Sequence, residues 1–339
     1  MKKTILISGG CGLLGSEFAS FLSKDENNTI IILDLPSAKV NKLIKKTHFY
    51  PIDITDEIDV EATINQVYKQ HEIDIIINCA AYNEQPSENI DNSFETYSLD
   101  KWNKTLAVNL TGAFLLSKEV IKYMLKNKND GFKGTIINIA SDLGIITSDQ
   151  SIYENGYIKP PDYGVSKAGL IHLTKYIASY YGDRIKSVCL SPGSVYNGQS
   201  YLLKKNLESR IPIGRLADRD EYNKAIEFLC DSGSDYMQGQ NLGIVINIAS
   251  MAGKRIKWPE MAPYAASKFG VRGFTKGLAK EYEDTNIKLY SINPGMTATR
   301  MSNFEGIHPS KVADIIVKVA EERLNKKSGE DIDIEKHVQ

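Results

Sequence analysis

Short runs of β-branched and aliphatic residues recur along the chain, separated by longer stretches with apolar residues at helical spacing. The runs TILIS (4–8), TIIILDL (29–35), HFYPIDI (48–54), IDIIINCA (73–80), TIINIAS (135–141) and IKSVCLS (185–191) are apolar nearly throughout rather than alternating. Strands covered by helices on both faces read this way. Between them, LLGSEFASFLSK, EIDVEATINQVYKQ, the long stretch from Leu99 to Lys126 and YGVSKAGLIHLTKYIASYYG carry the helical pattern. The alternation predicts an α/β fold built on a doubly wound parallel sheet.

The pattern then repeats itself. TIINIAS returns as IVINIAS (244–250), and the YGVSK stretch with the SPG after it returns as YAASK (264–268) and INPG (292–295). Everything before residue 135 occurs once. We therefore expect one full unit, residues 1–242, and a C-terminal partial repeat, residues 243–339, that copies only the second half of the fold. The apolar run LGIVINI (242–248) is expected to serve as the seventh strand of the first unit. A further crossover, a helix at 264–282 and a strand at 287–293, would then extend the sheet.

Composition narrows the function classes. The 339 residues include 41 basic and 42 acidic side chains, a formal net charge of −1. That balance argues against a nucleic-acid-binding surface. The four cysteines are far apart and without C-x-x-C spacing, as expected of reduced thiols in a cytoplasmic protein, and no histidine pair has metal-ligand spacing. The basic tip and apolar start are interrupted by glycines without a cleavage site, and no run reaches membrane-spanning length.

SGGCGLLG follows the first strand and opens the first helix. Gly10, Gly12 and Gly15 satisfy G-x-G-x-x-G, while Gly9, Gly12 and Gly15 satisfy G-x-x-G-x-x-G. Such glycines permit a tight turn and close approach of a pyrophosphate to a helix N-terminus, the Rossmann-type arrangement. Asp34 ends the second strand, where a carboxylate accepts hydrogen bonds from a ribose 2′-hydroxyl and repels a 2′-phosphate. No Lys or Arg lies in the glycine loop, so NAD is favoured over NADP.

Tyr163 and Lys167 stand four apart on one helix face. An ammonium beside a phenol is expected to lower the phenol pKa towards neutrality and make it a usable acid or base. Ser141 ends the fifth strand, and Asn109 lies within the long helix.

Taken together, SGGCGLLG, DIT (53–55), NCAA (78–81), VNLTG, NIAS, YGVSK and SPG (191–193) resemble the short-chain dehydrogenase/reductase family over residues 1 to about 242. The resemblance implies a catalytic Asn109–Ser141–Tyr163–Lys167 tetrad. Tyr163 would exchange the hydroxyl proton, Ser141 would hold the substrate oxygen, Lys167 would bind the nicotinamide ribose, and Asn109 would position a water. It further implies cofactor contacts from Gly9, Gly12, Leu14, Gly15 and Asp34, an adenine pocket lined by Asp53 and Ile54, and Asn78, Ala80, Pro192, Gly193 and Val195 beside the cofactor. Without a glycine at Leu13, the loop is closer to the sugar-nucleotide epimerase and dehydratase branch.

The interval from Ser141 to Tyr163 is longer than that from Ser250 to Tyr264. The extra residues, SDQSIYENGYIKPPD (148–162), are expected to form a loop over the mouth of the site. Residues 135–242 are similar to reductases of the flagellin modification protein A type, which implies a sugar or nucleotide-sugar substrate. Tyr153, Tyr157, Tyr196, Asn197 and Gln199 are candidates to bind its hydroxyls. The family also implies a homo-oligomer, a dimer or tetramer. The second copy holds Ser250, Tyr264 and Lys268 but no glycine loop, and these three are expected to be relics.

Overall fold

The computed structural model describes residues 2–40, 47–84, 92–126, 134–154, 156–211, 213–242, 245–248, 254, 262–281, 289–295, 297, 305–320, 324 and 326–337. The chain divides into two compact units, Met1–Leu242 and Gly243–Gln339.

In the first unit, seven parallel strands are ordered β3-β2-β1-β4-β5-β6-β7. They are β1 (Lys3–Ser8), β2 (Asn28–Asp34), β3 (Thr47–Pro51), β4 (Ile75–Asn78), β5 (Gly134–Ile139), β6 (Ile185–Leu190) and β7 (Asn241–Leu242). The strand order reverses between β1 and β4, which opens a crevice at their carboxyl ends. The helices are α1 (Leu13–Leu22), α2 (Glu57–Tyr68), α3 (Leu99–Leu106), α4 (Gly112–Met124), α5 (Pro161–Tyr181), α6 (Tyr201–Glu208) and α7 (Asn223–Cys230).

Neighbouring residues of one strand feed two different cores, as the pleat requires. Leu6, Ile31 and Leu33 face Val60 and Ile64 of α2, Leu116 and Val120 of α4 and Ile177 of α5. Ile5, Ile7, Ile30 and Ile32 face Phe18 and Leu22 of α1 and Ile226 and Leu229 of α7. This two-sided burial explains the unbroken apolar runs. Each fully buried Ile or Leu contributes about 1.5–3 kcal/mol relative to an exposed one.

The long helix expected over residues 99–126 is interrupted. A π-helical turn (Ala107–Thr111) separates α3 from α4, and Asn109 sits in it. Single π-helical turns of this kind re-aim side chains.

The seam differs from expectation. The seventh strand is Asn241–Leu242, not 242–248, and among the described residues no further crossover extends the sheet. Gly239 N–H donates to Ser187 O and Cys189 N–H to Gln240 O, at 2.9 Å each. That register pairs Leu242 with Leu190, the last residue of β6, so no β6 backbone remains for residues 245–248.

Those residues, β8 (Val245–Ile248), instead begin a separate sheet in the second unit. Its order is β10-β9-β8, all parallel, with β9 (Leu289–Asn293) and β10 (Asp331–Asp333). Helices α8 (Ala262–Glu281) and α9 (Pro309–Ala320) connect the strands. Tyr290, Ile292, Val312, Ile315, Val319 and Ile332 form its core. Arg272 of α8 donates to both carboxylate oxygens of Asp331. Lys268 lies on α8, whereas Ser250 and the Tyr264 side chain lie outside the described residues.

Candidate active site

β1 ends at Ser8 and α1 begins at Leu13, leaving Gly9 to Gly12 to make the turn. Gly9 has φ +64°, and a Cβ there would lie 2.5 Å from Ala80 Cα. A Cβ at Gly15 would lie 2.1 Å from Gly9 O. Only glycine fits either position. Gly12 begins α1 with no side-chain cap, so the N–H groups of the first turn face the crevice without a side-chain acceptor. Leu14 packs on the core beneath the turn.

The Asp34 carboxylate closes the other wall. It accepts from Cys11 N–H and from Leu35 N–H, each at 2.8 Å. Burial and the neighbouring Asp34 push the Cys11 thiol up to about 11, so it stays protonated. Asp53 follows β3 and accepts from Thr55 N–H at 3.0 Å and Thr55 Oγ1 at 2.7 Å. Ile54 is buried against Gly112. Asn78 Nδ2 donates to Asn138 Oδ1 at 2.8 Å and to Ser117 Oγ at 3.0 Å, so this side chain ties β4 to β5 and α4.

Ser141, Tyr163 and Lys167 come together beyond β5. Ser141 lies close enough to Tyr163 to act on its phenol, while its own hydroxyl donates to Asp142 Oδ1. Lys167 is 2% exposed; its ammonium lies 5.7 Å from the Tyr163 ring centre and donates to Ile139 O at 2.8 Å. The expected depression of the Tyr163 pKa is not observed. Burial pushes the phenol up to about 12, against the opposing effect of the Ser141 hydroxyl. Burial also pushes Lys167 down to about 8. Lost hydration is the largest cause of both shifts, and neither is driven by the other group of the pair.

Asn109 is fully buried and acts as a clamp. Its Oδ1 accepts from Tyr82 N–H at 2.6 Å, while its Nδ2 donates to Tyr82 O at 2.9 Å and Ser166 Oγ at 3.0 Å. It thereby locks the segment following β4 to the helix that carries Tyr163. Pro192 O accepts from Asp142 N–H at 3.0 Å, and Gly193 N–H donates to Tyr222 Oη at 3.1 Å. Val195 pairs with Ala217 in an isolated bridge.

Two charged residues at this site were missed by sequence reasoning. Asp142 Oδ1 accepts from Ser141 Oγ and from Leu143 N–H, both at 2.8 Å. Its position directly after the serine was the available signal. Lys159, in the inserted segment, is 7% exposed with its ammonium 5.1 Å from the Tyr163 ring centre. The only signal for it was a lysine immediately before two prolines.

The insert is packed rather than free. Ile152 and Tyr157 are buried, and Tyr153 meets Tyr157 edge-on at 5.3 Å. Asn206 Nδ2, on α6, donates to Ile152 O at 2.8 Å. Among the other hydroxyl-binding candidates, Gln199 is engaged with Val195 O and Asn197 N–H, both at 2.8 Å, and Tyr196 is exposed. No group of three or more His, Cys, Asp or Glu able to hold a metal ion occurs among the described residues. None of the described helices is long and apolar enough to cross a membrane.

A family model described as enoyl-(acyl carrier protein) reductase matches residues 14–244, and one described as short chain dehydrogenase matches residues 224–308. The chain belongs to the short-chain dehydrogenase/reductase family. A 3-oxoacyl-[acyl-carrier-protein] reductase of Thermotoga maritima is 27% identical over 255 residues, covering 71% of this chain and 96% of the relative. A crystal structure of a short chain dehydrogenase from Leptospira borgpetersenii with bound NAD+ is 32% identical with a TM-score of 0.63, covering 71% of this chain and 91% of that one. An NAD+-bound xylitol dehydrogenase is 25% identical with a TM-score of 0.58, covering 71% and 96%. As a short-chain dehydrogenase/reductase, the protein is an oxidoreductase with the Rossmann-like parallel sheet described above.

Proposed function

We propose that residues 1–242 form an NAD-dependent oxidoreductase that moves hydride between nicotinamide and a hydroxyl-bearing or carbonyl carbon of a sugar-like substrate. The observation that carries this reading is the convergence of Ser141, Tyr163 and the buried Lys167 beyond β5, with the Lys167 ammonium 5.7 Å from the Tyr163 ring centre. A dinucleotide fits the residues present. The Gly9–Ala80 approach leaves a side-chain-free cradle, the start of α1 is uncapped, and Asp34 stands where a ribose would lie. Asp34, with no basic residue in the loop, favours NAD over NADP. The 32%-identical relative with bound NAD+ is consistent with that choice.

When bound, the nicotinamide supplies or accepts the hydride at C4. In oxidation, Tyr163 takes the substrate hydroxyl proton as the C–H pair leaves and the C=O bond forms. In reduction, Tyr163 returns that proton to the new alkoxide oxygen. Ser141 would turn its hydroxyl from Asp142 to the substrate oxygen, and Lys167 would bind the nicotinamide ribose. Gly9, Gly12, Leu14 and Gly15 would take the pyrophosphate. Asp53 and Ile54 would flank the adenine, and Asn78, Ala80, Pro192, Gly193 and Val195 would border the nicotinamide half. Asn109 holds the segment after β4 against the helix that carries Tyr163 and would offer the second lone pair of its Oδ1 to a water.

The insert carries Tyr153 and Tyr157 and packs its Lys159 against the Tyr163 ring, and we read it as the wall that meets a hydroxylated substrate such as a sugar or nucleotide sugar of surface-glycan synthesis. A second reading, reduction of a 3-oxoacyl thioester, is favoured by the names of the curated relatives. The two separate in one assay. NADH formation from a panel of sugar alcohols and nucleotide sugars supports the first, whereas NADH consumption with acetoacetyl thioesters alone replaces it.

We read residues 243–339 as a partial second copy of the family fold without catalytic function. The family model matching residues 224–308 supports this reading. We also read the first unit as a homo-oligomer, consistent with Tyr176 and Tyr180 lying exposed on α5.

A further inference from the structure

The inserted segment brings a buried ammonium to the reacting tyrosine. The Lys159 backbone is fixed by a reciprocal pair with Gln150, whose Oε1 accepts from Lys159 N–H at 2.9 Å and whose Nε2 donates to Lys159 O at 3.0 Å. Pro160 and Pro161 follow it and begin α5, so little torsional freedom remains on that side. The side chain reaches across to Asn83, and its ammonium donates to Asn83 Oδ1.

Among the described residues this ammonium has few acceptors. It carries three donors, and among the described residues one amide oxygen accepts from it. No carboxylate among the described residues lies within ion-pair distance. The two carboxylates that act on it electrostatically, Asp162 and Glu84, are engaged elsewhere. Asp162 accepts from Tyr97 Oη at 2.7 Å, Thr105 Oγ1 at 2.5 Å and Tyr163 N–H at 2.7 Å. Glu84 pairs with Lys101 at 3.1 Å. Burial pushes Lys159 down to about 8, which leaves it mostly charged at neutral pH. A buried cation with one acceptor among the described residues suits an anion that arrives with the ligand.

Building on the polyol reading above, we propose that Lys159 and Asn83 form an oxyanion subsite beside Tyr163, which takes a carboxylate or phosphate carried by the substrate. The favoured substrate is then a polyhydroxylated acid or a sugar phosphate rather than a neutral sugar. A charge-assisted hydrogen bond from a desolvated lysine discriminates strongly, because a neutral ligand leaves the donors unpaired.

The test is calorimetric titration of the full chain saturated with NAD+, in a Tyr163→Phe background that stops turnover, using D-gluconate, D-glucose 6-phosphate and D-glucitol as probes. With Lys159 in place, this chain should bind one of the two anions more tightly than D-glucitol. Preference for gluconate identifies a carboxylate subsite, and preference for the sugar phosphate a phosphate subsite. Lys159→Met should weaken the anion roughly tenfold or more and leave D-glucitol within about twofold. Lys159→Arg keeps the charge and should retain most of the anion preference. Unchanged NAD+ affinity in both variants establishes that they fold.

Equal affinity for charged and neutral probes with Lys159 in place overturns the subsite, and so does equal loss of all probes in Lys159→Met with NAD+ binding intact. Binding is read without turnover. A chain that holds gluconate through Lys159 but, with Tyr163 restored, oxidises no polyol would refute the activity and leave the subsite standing.

Discussion

Gly9→Ala separates two physical costs at the nucleotide loop. Gly9 has φ +64°, a conformation that costs alanine about 1–2 kcal/mol. The new Cβ would also stand 2.5 Å from Ala80 Cα and 2.7 Å from Ala80 N, where ordinary contact begins at 3.4 Å. Backbone meets backbone there, so no flexible side-chain end can yield. The loop or the segment after β4 must move by close to an ångström, which adds about 1–3 kcal/mol of packing strain. Gly198→Ala is the control. Its φ is +75°, and nothing lies within 4 Å of a Cβ there.

Gly198→Ala should therefore cost about 1–2 kcal/mol and Gly9→Ala about 2–5 kcal/mol. A shift of that size at a phosphate cradle should weaken NAD+ binding roughly tenfold to a hundredfold, whereas the control leaves it unchanged. Thermal unfolding gives the first comparison, at about 2–4 °C per kcal/mol for a unit of this size. Fluorescence titration with NAD+ gives the second. Equal melting shifts and an unchanged NAD+ affinity in Gly9→Ala would refute the close approach described for the loop.

Three further outcomes follow from the site. Tyr163 is a protonated phenol at neutral pH because its pKa is pushed up to about 12. Oxidation, which needs the phenolate, should rise about tenfold per pH unit from neutral into the alkaline range, while reduction stays flat; initial rates in both directions across pH check this, and pH-independent oxidation contradicts it. The Asp142 charge raises the Tyr163 pKa, so Asp142→Asn should move the oxidation profile to lower pH, and a shift in the alkaline direction would remove that charge from the account. Asp34→Asn should weaken NAD+ and narrow the discrimination against NADP+, as competitive titrations would read; an unchanged ratio would place the ribose elsewhere.

Much of the first unit was legible because burial on both sheet faces leaves an unmistakable residue pattern. Ile5 and Leu6 point into opposite cores, yet both must be apolar. The glycine loop was legible for a related reason, since two of its glycines are demanded by contacts that admit no Cβ. The seam was not. Residues 242–248 are continuous in hydrophobicity, and only the register set at Gly239 ends β7 at Leu242. The direction of the Tyr163 shift was also hidden, because the spacing of Tyr163 and Lys167 reveals their proximity but not their loss of water. Lys159 and Asp142 escaped for want of periodicity, as loops place charged groups through contacts distant in sequence, such as Lys159 with Asn83.

The central claim is that Tyr163 passes the proton while the glycine loop holds NAD. It is tested most directly by Tyr163→Phe in the full chain, with NAD+ affinity and turnover of the best polyol or sugar-acid substrate measured side by side. NAD+ affinity should stay within about twofold of wild type while turnover falls roughly a hundredfold or more. Turnover close to wild type in a variant that binds NAD+ normally would contradict it.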